Sequence, residues 1–484
     1  MRTPVDTDRL DVHHVGGVAV PGRGRREIHR LDPATGGPGH IVLAATQDEV
    51  AAAVDAASAA SADWRRTAPA ERAAALRRAA HGVRESADEL AALLTAATGR
   101  PLATARESAH VAADLLEEAA VTGLGATGRT LAGAPAALDV VRREPHGVVA
   151  VITPWNDPLP TAAGLVAAAL VTGNTVVHKP SERSALAGYE MARIIAENVP
   201  AGVLGVVNGD GDTGAALVAD ERVALVAHVG STATGRAIAA TAGARGARVL
   251  LENGGKDPLV VDAGVDPGWA ARQIATGAFT NTGQLCTSVE RVYLHDAVAD
   301  DVLAELVRIA EQTVVGDPRQ PATELGPLVD EAQLDVVAGQ VEQAVAAGAR
   351  LLTGGSRLDR PGSWYPPTVL DGCTEDLEVM REETFGPVAA AVRVPDFATG
   401  LALANTGRYG LAATVLTPDL RHALRAAEEL DVGTVKVNAV FGGAPGGSAD
   451  PRRDSGSGAG YGPDLIAAMT LLKTVHLEGL PATP

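Results

Sequence analysis

The stretch from about residue 147 to 253 constrains the fold most. Short continuous apolar runs at 148–152, 175–177, 204–207, 225–229 and 249–251 alternate there with helical stretches. A strand wetted on one side alternates apolar and polar residues; these runs do not, so each is expected to be buried on both faces. Runs of that kind, each followed by a helix, predict an α/β domain built on a doubly wound parallel sheet, a frequent nucleotide-binding scaffold. A second set of strand and helix patterns runs from about 256 to 440 and ends in a Gly/Ser/Asp-rich loop at 442–458. Ahead of the first sheet, Thr46 with Glu49 and Ser86 with Glu89 both fit the S/T-x-x-E capping box, and Gly99 and Pro101 are expected to close that helical block. Residues 1–45 read as irregular, with edge strands near 15–20 and 40–44. Segments 130–143 and 470–477 read as paired outlying strands with no obvious place in either core.

The chain has 484 residues, enough for roughly two or three domains that each bury a core. Its two cysteines, Cys286 and Cys373, cannot build a disulfide framework, and no CxxC pair or His/Cys cluster has metal-ligand spacing. A reducing compartment and no metal are the natural expectations, and a thiol that stays free can be used chemically. Forty-one Lys and Arg against 59 Asp and Glu leave a net charge of −18, which repels nucleic acid and anionic membranes. Residues 1–17 have no apolar core of a signal peptide, and the longest apolar run, near 165–171, is far too short to span a bilayer. The expectation is a soluble cytoplasmic protein without nucleic-acid or membrane partners.

Two glycine motifs compete for a phosphate. Residues 209–214 match GxGxxG between a strand and a helix, but Ser231 and Thr232 stand where an acidic residue about twenty positions later is expected. A tight glycine turn accounts for that motif more simply. The segment Gly230-Ser231-Thr232-Ala233-Thr234-Gly235 follows the next strand and opens a helix, where unsatisfied N–H groups favour an anion. Five further segments stand out: Thr153-Pro154-Trp155-Asn156, His178-Lys179-Pro180-Ser181-Glu182, Glu252-Asn253-Gly254-Gly255-Lys256, Gly283-Gln284-Leu285-Cys286 and Glu383-Thr384-Phe385-Gly386-Pro387. Taken singly, a Cys after Gly-Gln or a Glu before Gly-Gly is more often structural than catalytic. As six ordered segments, with 34 positions from Glu252 to Cys286 and 97 from Cys286 to Glu383, they resemble the aldehyde dehydrogenase superfamily from about residue 30 to 478.

That resemblance implies a cofactor domain at 1–128 and 146–253, a catalytic α/β domain at 254–462, and a protruding β element for oligomerisation at 129–145 and 463–484. It implies NAD-dependent, non-acylating oxidation of an aldehyde. A planar aldehyde releases hydride poorly, whereas the thiohemiacetal formed by a thiolate releases it readily and leaves a thioester. Cys286 is the implied nucleophile, and its thiol, near 8.5 when free, must be acidified or relieved by a base. Asn156 and the Cys286 backbone N–H are implied as oxyanion donors, and Glu252 as the base that activates water on the thioester. Around the cofactor the resemblance implies Thr153, Trp155, Lys179, Ser181, Glu182, Gly211, Gly230, Ser231, Gly235, Glu383 and Phe385. Glu182 would accept from a ribose 2′-hydroxyl and repel a 2′-phosphate, which favours NAD, with NADP possible because Lys179 lies nearby.

The chain departs from the family's pattern at several places. Asn253 replaces the Leu of the usual Glu-Leu-Gly-Gly-Lys; Leu165 and Leu471 are aligned with a Lys and a Glu of many relatives, so their joint loss would strand no charge. Aromatic residues of the aldehyde channel are expected to be replaced by Asp157, Gly164 and Thr280, beside Leu285 and Thr287, giving a wide, polar mouth for a bulky or polar aldehyde. Arg452 and Arg453 could clamp the carboxylate of a semialdehyde, although a solvated surface pair is the plainer account. A thioester-forming acyltransferase or reductase on the same scaffold and a catalytically retired binding scaffold remain alternatives; Glu252 and Asn156 count against the first, and the presence of Cys286, Glu252 and Asn156 against the second. Relatives pair a strand ribbon with a neighbouring subunit, so a homodimer or homotetramer is expected.

Overall fold

The computed structural model describes residues 8–135, 137–443 and 446–478. Its first unit is an eight-stranded sheet in the order Gly456–Ser457, Arg248–Glu252, Val223–Val229, Val148–Ile152, Thr175–Lys179, Leu204–Val206, Val12–Val15, Val18–Pro21. The central five are parallel, and every residue of Val148–Ile152 and Thr175–Lys179 is buried, which is why their sequences show no alternation. The chain enters at Val148–Ile152, moves outward to Leu204–Val206, then returns to lay Val223–Val229 on the opposite side. A crevice opens at such a reversal, beyond the carboxyl ends of the strands.

Both edges are closed by antiparallel pieces. At one, the expected strand at 15–20 is instead a hairpin, because Gly16 and Gly17 adopt φ of 61° and 88° and turn the chain between Val15 and Val18. At the other, Gly456–Ser457 arrives from the far end of the sequence and pairs Gly456 with Glu252.

Thr46 caps Gln47–Arg66 with a complete capping box. Ser86 makes no capping hydrogen bond: it lies between two helices at φ −96°, ψ 11°, away from the extended backbone that a cap residue adopts. Gly99, at φ 77°, ends Ala87–Thr98. Pro101 closes nothing, because it leads directly into the helix Leu102–Thr122, where a missing N–H costs no hydrogen bond. An alanine-rich face of that helix packs on Pro158–Val171, all of whose residues are buried.

The second unit is a seven-stranded sheet ordered Arg350–Thr353, Thr368–Asp371, Val388–Val394, Val289–His295, Asp257–Val261, Ala412–Leu416, Thr434–Val437, parallel except at its Arg350–Thr353 edge. The outlying strands pair as expected: Thr470–Glu478 runs antiparallel to Ala137–Pro145, which also holds Arg129–Leu131. Among the described residues no helix is long and apolar enough to cross a membrane, and no group of three His, Cys, Asp or Glu could hold a metal ion.

Candidate active site

Two cavities of about 690 Å³ each meet at the carboxyl ends of the first sheet's strands. They share Pro154, Trp155, Arg183, Val229, Gly230 and Ser231, so they form one continuous groove. Thr153, Lys179, Ser181, Glu182 and Gly211 line the first cavity along with the shared residues. Ser231 caps the helix Thr232–Ala244, and the remaining N–H groups of its first turn have no intrahelical partners. Gly211 stands at the wall with open space where a Cβ would be, which leaves room for a flat or phosphorylated guest. Lys179 is buried, which pushes its pKa down, and its Nζ donates to the carbonyls of Pro180 and Gly209 at 2.9 Å.

The rival GxGxxG turn contributes walls but no phosphate seat. Asp210 caps the helix Gly211–Ala219 and is paired with Arg26, so negative charge already occupies that helix start. Gly235 does not line the groove: a Cβ there would come 2.1 Å from Asn253 Oδ1, so its smallness serves helix-to-strand packing.

The second cavity gathers Asn156, Glu252, Cys286, Glu383 and Phe385, with Asp157, Thr280, Leu285 and Thr287 around them. The Cys286 thiol donates to Glu252 Oε1 across 3.9 Å. Burial is the largest cause of a strongly raised Cys286 pKa, followed by the carboxylates of Glu252, Asp257, Glu383 and Asp157. Burial also raises Glu252, with the thiol hydrogen bond opposing it. Burial thus holds the proton on the thiol and makes Glu252 the stronger proton acceptor whenever it is ionised.

Backbone close approach builds this geometry. Asn281, Thr282 and Gly283 take φ of 52°, 59° and 70°, turning the chain sharply before Cys286. The carbonyl of Gln284 is then held by Asn156 Nδ2 at 3.0 Å and Asn281 Nδ2 at 3.2 Å, which leaves the second N–H of Asn156 for a ligand. Gly255 permits the loop to sit so near, since a Cβ there would lie 2.6 Å from the Cys286 carbonyl oxygen. Gly255 N also donates to Glu383 Oε1 at 2.9 Å; burial, then Glu290, push Glu383 up to about 8. Glu290 in turn accepts from the backbone of Thr384 and Phe385 at 2.7 and 2.9 Å, and Phe385 meets Trp155 edge-on at 5.5 Å.

Some expected site residues lie elsewhere. Gly164 is behind the wall, because the Tyr461 ring covers it: a Cβ would sit 3.1 Å from Tyr461 Cε1. Tyr461 and Phe441 line the cavity, so the expected loss of aromatic walls is only partial. Leu471 sits half-exposed on the outlying strand opposite Glu144, while Leu165 is in the core, so they are not a vacated charge couple at the site. Gly460 stands next to the carboxylate instead; its Cβ would be 3.4 Å from Glu252 Oε2. Arg452 and Arg453 face Asp431 at 3.9 and 3.5 Å and line neither cavity, so no carboxylate clamp forms there. Arg183, unremarked in the sequence, lies over Trp155 at 5.4 Å and pairs with Asp330 at 3.0 Å. Its signal was a second basic residue directly after Lys179-Pro180-Ser181-Glu182.

Two joined cavities of about 690 Å³ each at a topological switch point, opening onto a thiol and carboxylate, suit an oxidoreductase of the pyridine-nucleotide class. The profile of the Aldehyde dehydrogenase family matches residues 20–475, and the chain belongs to that family; it is an aldehyde-oxidising oxidoreductase. It is similar to the NAD-dependent aldehyde dehydrogenase of Sinorhizobium meliloti, at 34% identity and TM-score 0.95 over 99% of this chain and 96% of that one. Lactaldehyde dehydrogenase from Escherichia coli is 31% identical with TM-score 0.95, over 98% and 100% of the two chains. An NADP-dependent enzyme of E. coli is 31% identical with TM-score 0.94, over 97% and 98%.

Proposed function

We propose that the protein oxidises a polar aldehyde to a carboxylic acid through a thioester on Cys286, with Glu252 as proton acceptor. The observation that carries this reading is the Cys286 thiol directed at Glu252 at 3.9 Å, inside the cavity that also holds the Asn156 amide. Glu252 takes the thiol proton as sulfur attacks the carbonyl carbon, and the new C–S bond leaves negative charge on oxygen. The free N–H of Asn156 and the backbone N–H of Cys286 hold that oxyanion; loss of one such donor costs on the order of 10²–10³ in rate. NAD(P) held in the groove would supply the hydride acceptor, so that this carbon could give up hydride and the carbonyl reform as a thioester on Cys286. Glu252, having passed its proton to solvent, deprotonates a water that attacks the thioester. The C–S bond breaks, the acid departs and Cys286 is regenerated.

NAD(P) is the cofactor. Lys179, Ser181 and Glu182 would hold its adenosine ribose, Ser231 its pyrophosphate, and Glu383 with Phe385 its nicotinamide ribose. Thr153, Trp155, Gly211 and Gly230 complete the walls. The Glu182 carboxylate favours NAD over NADP, and Lys179 and Arg183 soften that preference. The working division is a cofactor domain at 1–128 and 146–253, a catalytic domain at 254–462 and an oligomerisation element at 129–145 and 463–484. The element's exposed Leu138, Leu472 and Leu477 suit a homodimer or homotetramer. A nucleophile that works only as a free thiol suits the cytoplasm.

For the substrate, Asp157 Oδ1 is engaged by Arg100 and Ser108, each at 2.6 Å, which leaves Oδ2 available at the cavity wall. An aldehyde bearing hydroxyl groups can donate to it. Comparing kcat/KM for glyceraldehyde and hexanal tests this: a preference for glyceraldehyde supports it, and a clear preference for hexanal overturns it. The aldehyde-oxidation reading itself is tested by NADH formation, expected in the native protein and abolished in Cys286→Ala.

A further inference from the structure

The residue after Glu252 is an asparagine where the resemblance leads one to expect leucine; its backbone N–H and its Nδ2 both donate, while its Oδ1 has no hydrogen-bond partner among the described residues. Asn253 is buried; its N–H donates to the Ser455 carbonyl at 2.8 Å, and its Nδ2 donates to the Asp454 carbonyl at 3.1 Å. Gly235, without a Cβ, makes room for its side chain.

The segment so held comes from the far end of the sequence and is fastened to both sheets. Asp454 pairs with Arg236 of the helix Thr232–Ala244 at 2.7 Å and with Arg408 at 3.3 Å. Ser455 is fully buried, and its Oγ accepts from Gly410 N, beside the second sheet, at 3.0 Å. Gly456 then pairs with Glu252 in the first sheet; its φ of 124° and a would-be Cβ contact of 2.1 Å with the Leu251 carbonyl admit only glycine. Four residues later Gly460 lies against Glu252 Oε2, and Tyr461 follows in the cavity wall.

We infer that Asn253 is a positioning residue for thioester hydrolysis: it latches 454–460 across the two units, and that segment fixes the Glu252 carboxylate relative to Cys286 and the attacking water. This rests on Glu252 being the hydrolytic base. A leucine at 253 offers no donor to Asp454 O, so the latch loses its buried side-chain bond and the backing of Glu252 loosens. Acylation demands less of the latch, because the thiol already lies against Glu252, whereas hydrolysis requires Glu252 to address a mobile water.

Stopped-flow NADH formation from NAD and an aldehyde the native protein oxidises tests this in Asn253→Leu, in the isosteric Asn253→Asp, and in Arg236→Gln, whose exposed site spares folding. Expected is a retained first turnover followed by a steady-state rate lowered about tenfold or more in the Asn253 variants, with a smaller drop in Arg236→Gln. The acid limb of the steady-state pH profile should also move. A loss of folded enzyme instead lowers first turnover and steady state in the same ratio and leaves the pH profile in place; that result, or native behaviour, overturns the inference. Glu252→Gln is the control. If it turns over normally, the hydrolytic-base reading itself fails; if its steady-state rate collapses while Asn253→Asp matches the native protein, only the Asn253 inference falls.

Discussion

Cys286 is surrounded by carboxylates, so its proton stays on sulfur until a base removes it. Burial, Glu252, Asp257, Glu383 and Asp157 all raise its pKa, and burial raises Glu252 as well. A carboxyl whose pKa is raised is protonated, and useless as an acceptor, below that raised value. kcat/KM should therefore fall as pH drops through it, by about tenfold per unit on the acid limb, and a pH–rate profile over the acid and neutral range checks this. Glu383, pushed up to about 8, should be a weaker acceptor for ribose hydroxyls below that pH. NADH affinity, read by fluorescence titration, is expected to rise as pH passes upward through about 8, and Glu383→Gln should flatten that dependence. Gly255→Ala would press a methyl group into the Cys286 carbonyl, at 2.6 Å, and move the nucleophile loop. A shift of that size costs about 10² in rate, measurable in kcat with cofactor affinity as the control. Cys286, Glu252 and Asn156 were picked out in the sequence through the family resemblance, and the structure brings all three to one cavity. Tyr461 was not: it stands in a glycine-rich loop whose path no periodicity fixes, as does Gly460 beside Glu252.

At the level of elements, the parallel strands could be read because burial on both faces leaves unbroken apolar runs, whereas short edge strands depend on partners distant in sequence. Gly456–Ser457 is the clearest case: only its pairing with Leu251 and Glu252 makes it a strand. Capping boxes show the same limit. Thr46 and Ser86 share one pattern, but only Thr46 has the extended backbone of a cap residue, and only its hydroxyl accepts a capping hydrogen bond. Thr46→Ala should accordingly cost about 1 kcal/mol in denaturant unfolding. Unchanged stability would contradict the assigned cap.

Across the whole molecule, chemistry is placed where the two sheets meet. The first supplies Asn156, Ser231 and Glu252 from the carboxyl ends of its strands, the second supplies Cys286 and Glu383, and the segment 454–457 ties one to the other. The outlying sheet leaves Leu472 and Leu477 exposed on the strand Thr470–Glu478. Leu472→Asp is expected to shift the particle toward monomer in light scattering, with NADH formation per subunit tested alongside. The central claim, a thioester on Cys286, is met most directly by intact-mass and peptide analysis of the native protein acid-quenched during turnover of NAD and an oxidised aldehyde. The account predicts one acyl group per chain, on the peptide containing Cys286, and none in Cys286→Ala. Steady NADH production by Cys286→Ala at the native rate, or an acyl group on another residue, would contradict it.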